Sequence, residues 1–149
     1  SRSGREQFQD VRTAAFDRVM YAENLMQPAF RFIGAFTPDS GYELMKQAIT
    51  KLGDTLPHGF IVANDTMAVG ALRALNEAKI EVPQRVSVIS FNDVAVAKFT
   101  TPPLSTVHAA TDQMGQTAVE LLQARIKDPK RVPRQVNFKS ELIMRASSL

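Results

Sequence analysis

Two apolar runs of strand length, "GFIVA" and "VSVISF", flank an amphipathic stretch, "DTMAVGALRALNEAK". A short apolar run rich in β-branched residues reads as a strand buried on both faces. Between the runs, Met67, Ala68, Ala71, Leu72 and Leu75 recur at helical spacing, so Asp65 to Lys79 reads as a helix with one apolar side. Strand, helix, strand is a βαβ unit. It requires a crossover, hence a parallel sheet with helices on its faces. That rhythm places the chain in the α/β class.

The rest of the chain extends this order. Val11, Phe16, Val19 and Met20 predict a helix from Asp10 to about Asn24, and the alternation in "FRFIGAF" (Phe30 to Phe36) predicts a strand. Thr37, Asp39 and Ser40 are helix-start residues ahead of an apolar face of Leu44, Met45, Ala48, Ile49 and Leu52, with Gly53 as C-cap. Past the second buried run, Pro102-Pro103 excludes a central strand or helix. Leu104 to His108 then reads as a short strand. Met114, Ala118, Leu121, Leu122 and Ile126 mark one more helix, "DPKRVPR" a loop, and "QVNFKSELIMR" one or two closing strands.

Composition narrows the function. With 149 residues, 44% hydrophobic and 22% charged, the chain can bury a core of ordinary size. A net charge of +3 is too small to argue for nucleic-acid binding. The absence of cysteine removes disulfide and thiolate chemistry. No apolar run approaches a membrane span and no secretory leader opens the chain, so a cytoplasmic, membrane-independent protein is expected. Dinucleotide and phosphate loops and the nucleophile elbow are missing. His58 and His108 have no ligand-spaced partner in sequence, so no metal site is expected and each reads as a loop or strand-end residue. The basic stretch Lys127 to Arg134 lacks interleaved aromatics and reads as a solvated loop.

Both buried runs end in Asn-Asp: Asn64-Asp65 and Asn92-Asp93. In an open α/β sheet, ligands bind beyond the carboxyl ends of the strands. An asparagine head carries an acceptor and two donors, which suits neighbouring sugar hydroxyls. The aspartates read differently. Asp65 is expected to cap the following helix, and Asp93 the turn after it. Arg12 is a candidate fork for two hydroxyl oxygens, and Phe36 a candidate ring for the C–H face of a sugar. No nucleophile stands with a base, and no carboxylates pair for acid–base work. Binding without a catalytic residue or cofactor is therefore expected, ahead of an α/β enzyme using Asp65 or Asp93.

The segments "DVRTAAF", "FTPDSGYELMKQAI", "FIVANDTMAVGALRALNEAKIEVPQRVSVISFNDVAVAKFTTPPLSTV", "MGQTAVELL" and "LIMRASS" resemble, in order, the effector-binding core of the lactose/galactose repressor (LacI/GalR) family. "VISFND" is similar to the subgroup around the repressor of the evolved β-galactosidase. The resemblance implies a periplasmic-binding-protein-like (type I) lobe with a mostly parallel sheet flanked by helices. Residues 1–109 would form the C-terminal effector-binding lobe, lacking its first helix and strand. Residues 110–149 would supply the crossover helix and closing strands. It implies a sugar-responsive repressor of carbohydrate-utilisation genes, with a transporter's solute-binding protein as the alternative. Arg12, Phe36, Asn64 and Asn92 fall on effector-contact positions. Met67, Ala71, Leu75, Val96, Phe99 and Pro102 fall on the homodimer surface. Operator DNA would be bound only through a helix-turn-helix that, like the N-terminal lobe, this chain does not include. A piece of a longer regulator is thus expected. Its open sheet edge and the face of its late helix would be covered by oligomerisation or repacking.

Overall fold

The computed structural model describes residues 11–149. The chain divides at Arg31/Phe32 into two compact units. In the first, helix α1 spans Val11–Ala22 and a 3-10 turn spans Pro28–Phe30. Arg31 pairs with Asp17 of α1. The expected helix start at Asp10 lies outside the described residues.

The second unit runs α2 (Pro38–Leu52), β1 (Gly59–Ile61), α3 (Asp65–Glu77), β2 (Ser87–Asn92), β3 (Ser105–His108), α4 (Thr111–Lys127) and β4 (Glu141–Ile143). The four strands form one sheet in the order β1-β2-β3-β4. β1, β2 and β3 are parallel, and β4 pairs antiparallel with β3. The expected α/β architecture with a mostly parallel sheet is what the chain adopts.

The expected strand at Phe30 to Phe36 does not form. Pro28 opens the 3-10 turn, and residues 31–36 join no ladder. Alternation records which side of a segment is apolar, but a strand also needs a hydrogen-bonding neighbour. Here Ile33 and Phe36 stay exposed while Phe32 packs against the core.

The core lies where α2 and α3 meet the sheet. Leu75, Val86, Val88 and Leu104 are fully buried, joined by Met45, Ala48, Ala71 and Leu72. The two helices approach through glycines. A Cβ on Gly70 would stand 1.9 Å from the Pro38 carbonyl oxygen, and one on Gly41 2.0 Å from that of Met67. Only glycine permits that backbone contact. This packing corrects the expected dimer surface. Met67 is 7% exposed, Ala71 2% and Leu75 0%, all committed to the chain's own interior. The helix has one apolar side, and the sheet and α2 occupy it. Of the surface expected, Val96 and Phe99 are exposed and Pro102 is half-buried. Helix α4 buries no residue among those described, and Met114, Leu122 and Ile126 stand exposed.

Candidate functional site at the carboxyl edge of the sheet

Asn64 follows the carboxyl end of β1, and Asn92 closes β2. The two strands are adjacent and parallel, with Gly59 beside Ser87 and Ile61 beside Ile89. Both asparagines therefore stand at one edge of the sheet, as the spacing predicted. Phe36 is 61% exposed and lies two residues ahead of α2. The first turn of α2 packs against the first turns of α3, with Gly41 at Met67 and Gly70 at Pro38. Phe36 and Asn64 thus precede helices that start at the same end of the unit. Arg12 is exposed near the start of α1, in the first unit.

Within the first Asn-Asp pair the cap of α3 is Asn64, not Asp65 as expected, while Asp65 keeps a structural role. Asn64, extended at φ −157° and ψ 165°, caps α3: its Oδ1 accepts from the Met67 amide at 2.8 Å. An acceptor at this position satisfies one of the orphan amides of the first turn. Asp65 is not the cap. It lies inside the first turn, fully buried, and accepts three hydrogen bonds. The Ser90 hydroxyl (β2) and the Thr106 hydroxyl (β3, 2.6 Å) donate to Oδ1, and the Val94 amide donates to Oδ2 at 2.7 Å. One carboxylate thus ties α3 to two strands and to the segment after β2. Ser90 and Thr106 are ladder partners, which brings both hydroxyls to the same carboxylate oxygen.

The second pair is corrected as well. The 3-10 turn Ala95–Lys98 receives no side-chain cap from Asp93. Asp93 instead accepts from Arg145 Nη2 at 2.6 Å on one oxygen, and its other oxygen lies 3.2 Å from His108 Nδ1. The Asp93 amide donates to Thr106 Oγ1 at 3.3 Å. Arg145 is held in turn, donating from Nη1 to the Leu104 carbonyl at 2.8 Å. Asn92 and Asp93 sit at φ 104° and 57°, a left-handed excursion that Asn and Asp tolerate better than other side-chain-bearing residues. Strained backbone of this kind persists only where surrounding contacts over-determine it, and it concentrates at functional sites.

Ser90, Thr106, His108 and Arg145 were missed from sequence. The partners are separated from Asp65 or Asp93 by 15 to 52 residues, so no local spacing reveals them. One signal existed. Ser90 is a hydroxyl inside the apolar run "VISF", and buried polar groups require partners. Thr106, in the polar strand "STVH", carried no such signal.

Chemically, the edge offers neutral hydrogen-bonding groups set on a braced frame. Among the described residues, no cluster of three or more His, Asp or Glu could hold a metal ion. No helix among them is long and apolar enough to cross a membrane. A cluster of Tyr42, Arg73 and Glu77 joins the exposed sides of α2 and α3. There the Tyr42 hydroxyl donates to Glu77 at 2.6 Å and Arg73 Nε donates to it at 2.8 Å. These bonds hold the Glu77 carboxyl below its ordinary value, Tyr42 contributing first, and the same bond raises the Tyr42 hydroxyl.

Residues 1–148 match the model of the periplasmic binding protein-like domain. The whole chain is 99% identical to 45% of the HTH-type transcriptional regulator GalR of Lacticaseibacillus casei. It is 39% identical over 139 residues, 93% of the chain, to 42% of the regulator of the same name from Streptococcus thermophilus. A crystal structure of a LacI family transcriptional regulator from Lactobacillus casei with bound sucrose superposes with a TM-score of 0.81 at 27% identity. It covers 91% of this chain and 50% of that one. The chain thus spans half or less of the length of these relatives. Resemblance, family model and superposition agree: the chain belongs to the periplasmic binding protein-like domain family, in its lactose/galactose repressor (LacI/GalR) branch of transcriptional regulators.

Proposed function

We propose that this chain is the effector-binding and dimerisation part of a sugar-responsive transcriptional repressor of carbohydrate-utilisation genes. The observation that carries the reading is the placement of Asn64 and Asn92 on one carboxyl edge of adjacent parallel strands, in a chain 99% identical to part of a transcriptional regulator. In this reading residues 1–109 build the effector-binding lobe and 110–149 supply the crossover helix and closing strands. Asn64 and Asn92 read hydroxyls, and Phe36 covers the C–H face of the ring. Asp65 and Asp93 brace the frame. The relatives described above are regulators, one with sucrose bound, which favours a regulator over a transporter's solute-binding protein and over an enzyme.

Operator DNA would be contacted by the remainder of a longer, cytoplasmic protein, and a homodimer would form through Val96, Phe99 and Pro102. Phe99 is 82% exposed and lies in one short segment with the exposed Val94 and Val96, a local apolar surface of the kind that contacts between proteins cover. Calorimetry of the longer protein with D-galactose, D-glucose and sucrose tests the site. Asn92→Ala should weaken the bound sugar by about 1–3 kcal/mol, and unchanged affinity removes Asn92 from it. Phe99→Glu should shift the protein toward monomer in sedimentation velocity. An unaltered dimer would place the interface elsewhere.

A further inference from the structure

We propose that His108 is an additional effector-contact residue, its Nε2 accepting a hydrogen bond from a sugar hydroxyl beside the one read by Asn92; this rests on the sugar-effector reading above. Its place in the sheet points to it. His108 closes β3 and is the ladder partner of Asn92 at the close of β2. The pair stands two residues beyond Ser90 and Thr106, the ladder pair whose hydroxyls meet at Asp65. Side chains two residues apart share a face of an extended strand, so His108 continues the row of Thr106 to its open end, beside the backbone of Asn92, which leaves that alternation at φ 104°. Adjacent strands lie about 4.8 Å apart, a separation suited to two hydroxyls of one ring.

The imidazole is also prepared for the task. A carboxylate oxygen cannot donate, so the contact between Nδ1 and Asp93 Oδ2 puts the hydrogen of the neutral ring on Nδ1. Nε2 is then the acceptor. The carboxylate is itself held by Arg145 on its other oxygen, which fixes the ring's orientation. The His108 side chain is 44% exposed. Its Nε2 has no protein partner among the described residues and is not among their buried unsatisfied atoms, so it reaches solvent. A fixed, bare acceptor thus stands at the edge where a parallel sheet binds ligands. Arg145 and Asp93 are positioning residues in this arrangement, acting through His108 and through the strained turn that carries Asn92.

The two amide replacements of His108 separate contact from support. Asparagine places a polar atom near the Nδ1 position and retains the bond to Asp93 while losing Nε2. Glutamine reaches the Nε2 position and weakens the bond to Asp93. In the longer protein, affinities for D-galactose, D-glucose and sucrose are measured by calorimetry, with thermal unfolding alongside. The inference expects His108→Asn to lose roughly five- to twentyfold affinity for the sugar that binds, with Tm unchanged. His108→Gln should recover most of that loss. Wild-type affinity in His108→Asn overturns the inference while leaving the sugar reading intact. A loss in His108→Gln alone, or in both variants with a fall in Tm, assigns His108 to the frame and also overturns it. If the unmodified protein binds none of the three sugars, the sugar-effector reading loses its support and the inference falls with it.

Discussion

Replacing Asp65 with alanine would strip the acceptor from three donors at once: the Ser90 hydroxyl, the Thr106 hydroxyl and the Val94 amide. Ser90 and Thr106 are completely buried, so water cannot reach them without opening the sheet. Each orphaned buried donor costs about 1–3 kcal/mol. Allowing some relaxation around the smaller side chain, Asp65→Ala should destabilise by roughly 3–6 kcal/mol. Asp65→Asn should cost less, about 1–3 kcal/mol. Its amide retains one oxygen, but either orientation leaves a donor facing a donor or a hydroxyl without its acceptor. In a Ser90→Ala/Thr106→Val background two of the three donors no longer exist. There Asp65→Ala should cost only what the Val94 amide loses, about 1–3 kcal/mol. Urea unfolding of the full-length protein, followed by far-UV circular dichroism, measures all four variants. An equal cost in both backgrounds, or one below about 1 kcal/mol in the first, would refute the account of Asp65 as the shared acceptor.

Three further outcomes follow from the same contacts. Gly70→Ala drives a methyl to within 1.9 Å of a backbone carbonyl, so the helices must separate. It should cost about 1–3 kcal/mol or more, whereas Gly59→Ala, with nothing within 4 Å of its Cβ, should stay within about 0.5 kcal/mol. Asn64→Ala should lose about 0.5–2 kcal/mol of stability with the cap. Asn64→Asp retains the cap acceptor but lacks the amide donors, so it should unfold like wild type and bind sugar less tightly by calorimetry. Undiminished binding would leave Asn64 as a cap only. Glu77 titrates below its ordinary 4.5 in the folded state, through the Tyr42 hydroxyl first and Arg73 second. Its contribution is therefore present above that ordinary value and fades as pH falls through the folded one. Glu77→Gln should flatten the acid limb of a Tm-versus-pH curve while leaving sugar affinity unchanged.

Some of this was readable from the residue string because the physics involved is local. Period-3.6 apolar spacing marked α2, α3 and α4, and continuous β-branched runs marked β1 and β2. The placement of both asparagines on one edge followed from βαβ geometry alone, since parallel strands joined by a helix end on the same side. Where the reading failed, a distant partner decided. Phe30 to Phe36 has strand-like alternation but pairs with no strand among the described residues. Met67, Ala71 and Leu75 matched a family dimer surface, yet the close glycine contact of α2 with α3 draws them into the interior.

The Asn-Asp pairs show the division most clearly. Sequence by itself determined that two parallel strands lead into Asn-Asp pairs at a common edge, because strand length, turn residues and crossover geometry are properties of short segments. The expected burial on both faces does not hold, since Ile61 of β1 is exposed and β2 is buried on one face only. Only tertiary structure decided what each side chain does there. Asn64 reached the cap first because its extended backbone aims Oδ1 at the Met67 amide. Asp65 turned inward because two hydroxyls, 25 and 41 residues away, needed an acceptor where no water could serve. Asp93 was drawn to Arg145, 52 residues on, and to His108 rather than to its own turn. A buried polar group takes the partner that folding brings to it, and that partner is set by the register of the sheet, not by proximity along the chain.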